Sequence, residues 1–387
     1  MNGLYEHKNY ARVNLGAIVS NFHLLSRKIK EKTPNAIPIC VVKANAYGHG
    51  LKECVSALLS AGAEFFAVSD VSEAIEVRRL SPSASILILD YTVPSSAPLL
   101  YKHNIIQAVF DTEYAEKLSS AMRMAKNTGE IPQNASLRLH IKLNTGMNRL
   151  GFSVCDGELD SIAEELLALS SLDGISLEGV FSHFACADML GVDMSERQTE
   201  LFFRAVSLLK ERGLNLKTHI SNSAATIRFG SAGFDYARIG ISLYGLSPSS
   251  EVRQEGLIPA MQLFCRVAQV RELAKGQSVS YGATYTAERD MKIAVISIGY
   301  ADGLIRACSG GEVIINGRRA KIIGRICMDQ SIVELGDIEA KEGDIVTVYD
   351  ESGENIEALA SGAGTISYEL ITLLGSRVFR EYKKYDE

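Results

Sequence analysis

The chain has 387 residues, 47% of them hydrophobic and 22% charged, which excludes a disordered chain and allows a barrel-sized unit plus a smaller one. Its 40 basic and 46 acidic residues leave a net charge of −6, the wrong sign for a surface that holds phosphate backbones, so no nucleic-acid partner is expected. No segment reaches the roughly 20 uncharged apolar residues that span a bilayer, and no membrane partner is expected either.

The best apolar stretch, around Ile86–Leu100, is broken by Asp90, Pro94 and Pro98. The opening MNGLYEHKNYARVNL carries Glu6, Lys8 and Arg12 and lacks the apolar core of a secretory signal. Seven cysteines are scattered without a CxxC pair or a Cys/His cluster. No metal site is expected, and reduced thiols in the cytoplasm are.

In chain order, short apolar runs alternate with longer amphipathic stretches from residue 15 to about 240. The runs are Ile37–Val42, Phe65–Val68, Ile86–Leu89, Gln107–Phe110, Leu137–Leu143, Leu177–Phe181, Lys217–Ile220 and Ala237–Ile239. Between them lie helix-like segments such as Asn14–Lys32, Leu51–Ser60, Val71–Leu80, Thr112–Ala125, Leu159–Ser170 and Glu196–Arg212. This alternation implies parallel strands, and eight such units predict a (β/α)₈ TIM-like barrel over residues 1–248. Beyond Pro248 the rhythm changes to short β-branched runs separated by Gly-containing turns, which predicts a mainly β domain over 249–387. INGRRA (Ile315–Ala320) reads as a hairpin around an Asn-Gly turn. A first strand at about 9–14 fits either half.

The first barrel run ends in VVKANAYGHG, Val41–Gly50. An ammonium group at the end of a buried apolar run is disfavoured by desolvation. Lys43 is therefore either a side chain that snorkels out of the barrel mouth or an amine kept for chemistry. Asn45, Tyr47 and His49 crowd the same turn with polar groups and favour a site.

VVKANAYGHG resembles the lysine signature of the alanine racemases, enzymes that use pyridoxal 5′-phosphate (PLP). HIKLNTGMNRLGF (His140–Phe152), EGVFSHFACAD (Glu178–Asp188), SNSAATIRF (Ser221–Phe229), ARIGISLYGLSPS (Ala237–Ser249), VSYGATYTA (Val279–Ala287), ISIGYADG (Ile296–Gly303) and GRICMDQ (Gly324–Gln330) resemble that family's blocks in order. The resemblance implies an N-terminal barrel with an all-β C-terminal domain. It implies an isomerase that interconverts L- and D-alanine by two-base proton transfer and supplies D-alanine for peptidoglycan.

Lys43 would hold the PLP aldehyde and act as one base, with Tyr281 as the other. In the family that tyrosine comes from the partner subunit of a head-to-tail homodimer, with Met328 and Asp329 beside it at the substrate. The phosphate falls to Asn222 and Ser223, after the seventh run, and to Gly240 and Ile241, after the eighth, where barrels often hold a phosphate; in the family Tyr47 and Tyr368 also reach it. Ser223 is also open to a second reading as a helix N-cap. Arg238 would face the pyridine nitrogen, as a donor that cannot accept a proton. His183 would support Arg238 or the ring, unless it is a satisfied core histidine. Arg149 would meet the substrate carboxylate, and Lys142 matches a lysine often carbamylated in the family. Apart from the family, both cations read as solvated charges and Tyr281 as a packed strand tyrosine. Asn14 and Asn144 stand where the family more often has Asp, Asn148 where a smaller residue is common, and Phe379 where Pro is usual. Two alternatives remain: a racemase of serine or broader range, and a PLP barrel amino-acid decarboxylase.

Overall fold

A computed structural model describes residues 7–383. Met1–Glu6, part of the segment read above for a leader, lie outside the described residues.

Eight parallel strands close on themselves. In order they are Ile37–Val41, Phe65–Val68, Ser85–Ile88, Ile106–Val109, Leu137–Asn144, Ile175–Phe181, Lys217–His219 and Tyr236–Ile239. The eighth returns to the first, with Tyr236 opposite Ile37 and Ile239 opposite Cys40. All eight predicted runs are strands, because a parallel sheet covered on both faces needs near-continuous apolar segments. Side-chain caps set where several of the intervening helices begin. Asp70 accepts from the Ser72 amide and Asp111 from the Tyr114 amide. Asn14 accepts from the Ala17 amide at 3.0 Å, a task Asn performs as well as Asp.

The second half closes differently. Met261–Leu273, Met291–Ile296, Ser331–Glu334, Arg318–Ile323, Glu312–Ile315 and Ile345–Tyr349 form a ring of antiparallel pairs. The 13-residue strand Met261–Leu273 serves both sides of that ring, and register shifts at Leu263/Phe264 and Val267/Gln269 let it turn the corner. Asn316 (φ +48°) and Gly317 (φ +76°) make the predicted tight hairpin. The half also carries two short helices, Glu354–Gly362 and Ser367–Thr372, that the strand reading left out.

Strand Tyr10–Asn14 lies in this second sheet. It runs antiparallel to Met261–Phe264 and parallel to Phe379–Lys383. The halves also meet at the barrel mouth. A Cβ on Gly48 would stand 2.0 Å from the Ile371 carbonyl oxygen, and one on Gly50 2.0 Å from the Tyr382 hydroxyl. Helix Ser367–Thr372 thus sits directly on the turn that carries Lys43.

Candidate active site

Lys43 opens one turn of left-handed helix. Ala44, Asn45, Ala46 and Tyr47 have φ between +50° and +54°, and Gly48 follows at +78°. Left-handed backbone costs an L-residue about 1–2 kcal/mol, so four in a row persist only where packing and hydrogen bonds over-determine them. The Ala46 amide donates to Val42 O at 2.8 Å and the Gly48 amide to Ala44 O at 2.9 Å. Asn45 Oδ1 accepts from the Leu51 amide at 2.8 Å, while its own amide reaches Glu73 Oε1. Arg380 Nε donates to Gly48 O from the second domain. Lys43 is therefore held at the barrel mouth and is half-buried, with no hydrogen bond or ion pair among the described residues. Burial, then Arg149, lowers its pKa, against the pull of Asp90 and Glu73.

Beside the lysine lies a cradle of donors. Asn222 caps helix Ser223–Phe229 by accepting from the Ala225 amide. That corrects the cap reading for Ser223, whose Oγ instead accepts from the Gly240 amide at 2.8 Å. A Cβ on Gly240 would stand 2.7 Å from the Tyr47 hydroxyl and 3.8 Å from Ser223 Oγ. Ile241 begins the 3₁₀ turn Ile241–Tyr244, whose first amides have no partner within the turn. The buried hydroxyls of Ser221 and Ser242 have no partner either. Tyr47 stacks on Tyr244 at 4.9 Å and faces Tyr368 at 6.4 Å. Hydroxyls, amides and a missing Cβ gathered in one corner suit a phosphate dianion.

Arg238 is buried at 3% exposure. Its Nη2 donates to Ser182 O and Ile220 O and lies 3.0 Å from His183 Nδ1. Its Nη1 lies 2.5 Å from His219 Nδ1. No hydrogen bond from its Nε to a described residue is present. Burial keeps His183 neutral, and the surrounding cations Arg238, Lys142, Arg149 and Lys43 reinforce this. Lys142 is 8% exposed between Arg238 and Arg149, and its Nζ donates to Leu143 O. Burial and those two guanidiniums push its pKa down to about 7. Arg149 is exposed and has no ion pair among the described residues. Its loop is shaped by Asn144, which accepts from the amides of Gly146 and Asn148 and donates to Asn148 Oδ1.

The structure thus brings together Lys43, Tyr47, Lys142, Arg149, His183, Asn222, Ser223, Arg238, Gly240, Ile241 and Tyr368. It does not join Tyr281, Met328 or Asp329 to them. Tyr281 sits in the 3₁₀ turn Tyr281–Ala283 of the small hairpin Ser278–Thr286, at 70% exposure and without a described hydrogen bond. Met328 is 52% exposed, and Asp329 pairs with Arg377 at 2.6 Å. The sequence reading missed His219 and His140 inside the barrel. The one signal for them was Gly179, a glycine within a barrel strand. Among the described residues no three His, Cys, Asp or Glu side chains gather as metal ligands.

Comparison with known proteins accounts for nearly the whole chain. Residues 13–248 match the alanine racemase N-terminal domain, and residues 260–382 match the alanine racemase C-terminal domain. The alanine racemase of Clostridium novyi is 38% identical over 387 residues, covering 98% of this chain and 96% of that protein. That of Carboxydothermus hydrogenoformans is 39% identical over 381 residues, covering 96% and 99%. Among solved structures, the alanine racemase of Clostridium difficile 630 superposes with a TM-score of 0.87 at 32% identity, covering 99% of this chain and 98% of that one. The alanine racemase of Bacillus anthracis with bound L-Ala-P gives 0.87 at 33%, covering 98% and 96%. With both domains matched in order and relatives aligned over almost their full length, this chain belongs to the alanine racemase family.

Proposed function

We propose that the chain interconverts L- and D-alanine, with PLP held at the barrel mouth by Lys43 and the Tyr47–Ser223–Gly240–Ile241 corner. Bound there, PLP supplies an electron sink that acidifies the Cα–H of an amino acid. The residues of the chain supply the rest. Lys43, its proton affinity lowered by burial, takes or returns a proton on one face of the Cα. Tyr281 of a second copy does so on the other. Arg149 offers a planar fork for the substrate carboxylate. Asn222 and Tyr368 complete the phosphate corner, and Met328 and Asp329 border the pocket from the second copy.

The observation that carries this reading is Arg238, a buried guanidinium whose hydrogen-bond partners among the described residues are carbonyls and neutral imidazole nitrogens, with no carboxylate. Facing the ring nitrogen of bound PLP, a partner that can donate but not accept would leave that nitrogen unprotonated, a weaker electron sink that would favour plain proton exchange over decarboxylation or transamination. Lys142 also fits a modified form. An amine pushed down to about 7, flanked by two guanidiniums and donating to the Leu143 carbonyl, is neutral often enough to add CO₂ at its nitrogen and release one proton to solvent. As a carbamate it would be the anion that Arg149 lacks.

Two copies explain the exposed apolar side chains Tyr281, Tyr300, Met328, Ile366 and Leu373 of the second domain, each at least 42% exposed. A two-fold homodimer would bury them and build two composite sites. All seven cysteines are free thiols, which suits a reducing compartment, and we place the enzyme in the cytoplasm. No helix among the described residues is long and apolar enough to cross a membrane. The test is a chiral assay of purified protein with PLP and a panel of L-amino acids. Alanine is expected to lead, with serine turned over slowly, because an apolar pocket rejects an added hydroxyl only about 10²-fold. A kcat/KM for serine equal to or above that for alanine would overturn the substrate.

A further inference from the structure

Inside the barrel, Arg238 rests on imidazoles that the proposed reaction leaves unused. Its Nη1 is 2.5 Å from His219 Nδ1, and His219 Nε2 is 3.0 Å from His140 Nδ1. A guanidinium has five N–H donors and no acceptor, so each imidazole nitrogen facing it must be the unprotonated one. His219 and His183 are thereby forced to carry their protons on Nε2. The His219 proton then points at His140 Nδ1, which must accept, so His140 carries its proton on Nε2 as well. That last N–H is buried with no partner. The opposite order would set N–H against N–H across 2.5 Å. One arginine thus sets the tautomers of three histidines.

The column exists because a side chain is missing. His140 lies on the fifth barrel strand and His219 on the seventh, and the strand between them presents Gly179 opposite His140. A Cβ on Gly179 would stand 2.6 Å from the His140 ring. Phe65 meets that ring edge-on at 6.2 Å, and Phe181 stacks on His219 at 4.7 Å. Burial keeps both imidazoles neutral, with His140 pushed down to about 4. No carboxylate touches Arg238 among the described residues.

We propose that His219 and His140 are positioning residues that hold Arg238 as a fixed cation with its charge uncancelled, and that Gly179 is the gap through which the second imidazole reaches the first. This rests on the reading that Arg238 faces the PLP ring nitrogen. A carboxylate in place of His219 would hold the arginine equally well but neutralise it. Neutral acceptors orient it and leave its field directed at the ligand.

Nitrogen-15 NMR of the protein's seven histidines, recorded without PLP and again with it, tests the column directly. His140, His183 and His219 are expected to be neutral, with Nε2 protonated near neutral pH. A proton on Nδ1 of His140 or His219 in the cofactor-free protein would overturn the proposal, whatever becomes of the racemase reading. Conversely, the expected tautomers in a protein inactive on alanine would leave the column standing and remove that reading.

Variants then test what the column does. His140→Asn keeps an acceptor near Nδ1, His140→Phe removes it, and Gly179→Ala displaces the ring without changing it. The Phe and Ala variants are expected to bind PLP about tenfold more weakly and to shift the His219 signals, because the His219 N–H loses its acceptor. The Asn variant should recover affinity to within about threefold. Equal affinity in all of them, or a loss in Asn as large as in Phe, would overturn the proposal. Should His140→Phe fail to fold, Gly179→Ala and the wild-type tautomers decide.

Discussion

Lys43 and Tyr281, the two groups proposed to move protons, sit in opposite surroundings. Both stand beside non-glycine backbone of positive φ: Ala44–Tyr47 after the lysine, and Ser280 at +63° before the tyrosine. The lysine turn is covered by helix Ser367–Thr372 and tied by Asn45, Glu73 and Arg380. The tyrosine turn is held from below, by the Ser280 hydroxyl donating to Arg325 O, and is open above. Strain of the first kind is locked within the chain. The second presents a phenol outward, with nothing from its own chain to act upon. The proposed homodimer would bring the exposed half of one copy to the enclosed half of the other.

That contrast can be broken most severely at the lysine. Lys43→Ala is expected to remove all turnover and the visible absorbance of bound PLP, read by spectrophotometry; retained colour with normal rates would mean another lysine. Tyr281→Phe should slow removal of the L-alanine Cα proton by about 10²–10⁴-fold, the usual worth of a positioned acid–base group, and that of D-alanine far less. Deuterium exchange from each enantiomer reads the asymmetry, and equal losses in both directions would contradict two bases. Mixing the two variants, with subunits allowed to exchange, should restore part of the activity if the site is shared between copies.

Smaller effects probe the built half alone. Gly240→Ala would place a methyl 2.7 Å from the Tyr47 hydroxyl. By displacing the Tyr47 hydroxyl it should weaken PLP binding by roughly tenfold, read by titration with PLP, and the same overpacking should lower the stability of the PLP-free protein by about 1–3 kcal/mol. Lys142→Met should raise thermal stability at low pH. Burial and the guanidiniums of Arg238 and Arg149 push the folded amine down to about 7 from its ordinary value near 10.5, so the charged form is penalised in the fold. The gain should be full below pH 7, fade as pH rises through the range 7–10.5, and vanish above it, where the amine is neutral in both states. A pH-independent gain would trace to packing rather than charge.

All eight barrel strands were legible because burial on both faces demands unbroken apolar runs. The Asn-Gly hairpin was legible because two positive φ angles demand that pair. Several features were not. A left-handed turn written with Ala, Asn, Ala and Tyr leaves no local signature, since those residues ordinarily prefer other backbone. Helix Ser367–Thr372 is too short to show a period. The placement of Tyr10–Asn14 depends on partners some 250 to 370 residues away. Within the site, resemblance supplied the roles, whereas the bare residues left Lys43, Ser223, His183 and Tyr281 with two readings each. Geometry closed two of these readings, by giving the helix cap to Asn222 and by exposing Tyr281 in a 3₁₀ turn where a packed strand tyrosine was the alternative.

That first strand carries a consequence for biosynthesis. Its neighbours, Met261–Phe264 and Phe379–Lys383, leave the ribosome long after it does. The barrel has its eight strands by residue 239 and can close on the nascent chain, while Tyr10–Asn14 waits with both edges bare. Because Tyr10 pairs with Phe379, the seam is sewn only once residues near 380 have emerged, and helix Ser367–Thr372 reaches the lysine turn in the same late step. Catalytic competence is thereby tied to near-completion of synthesis, and a prematurely terminated chain would hold a barrel with its lysine uncovered.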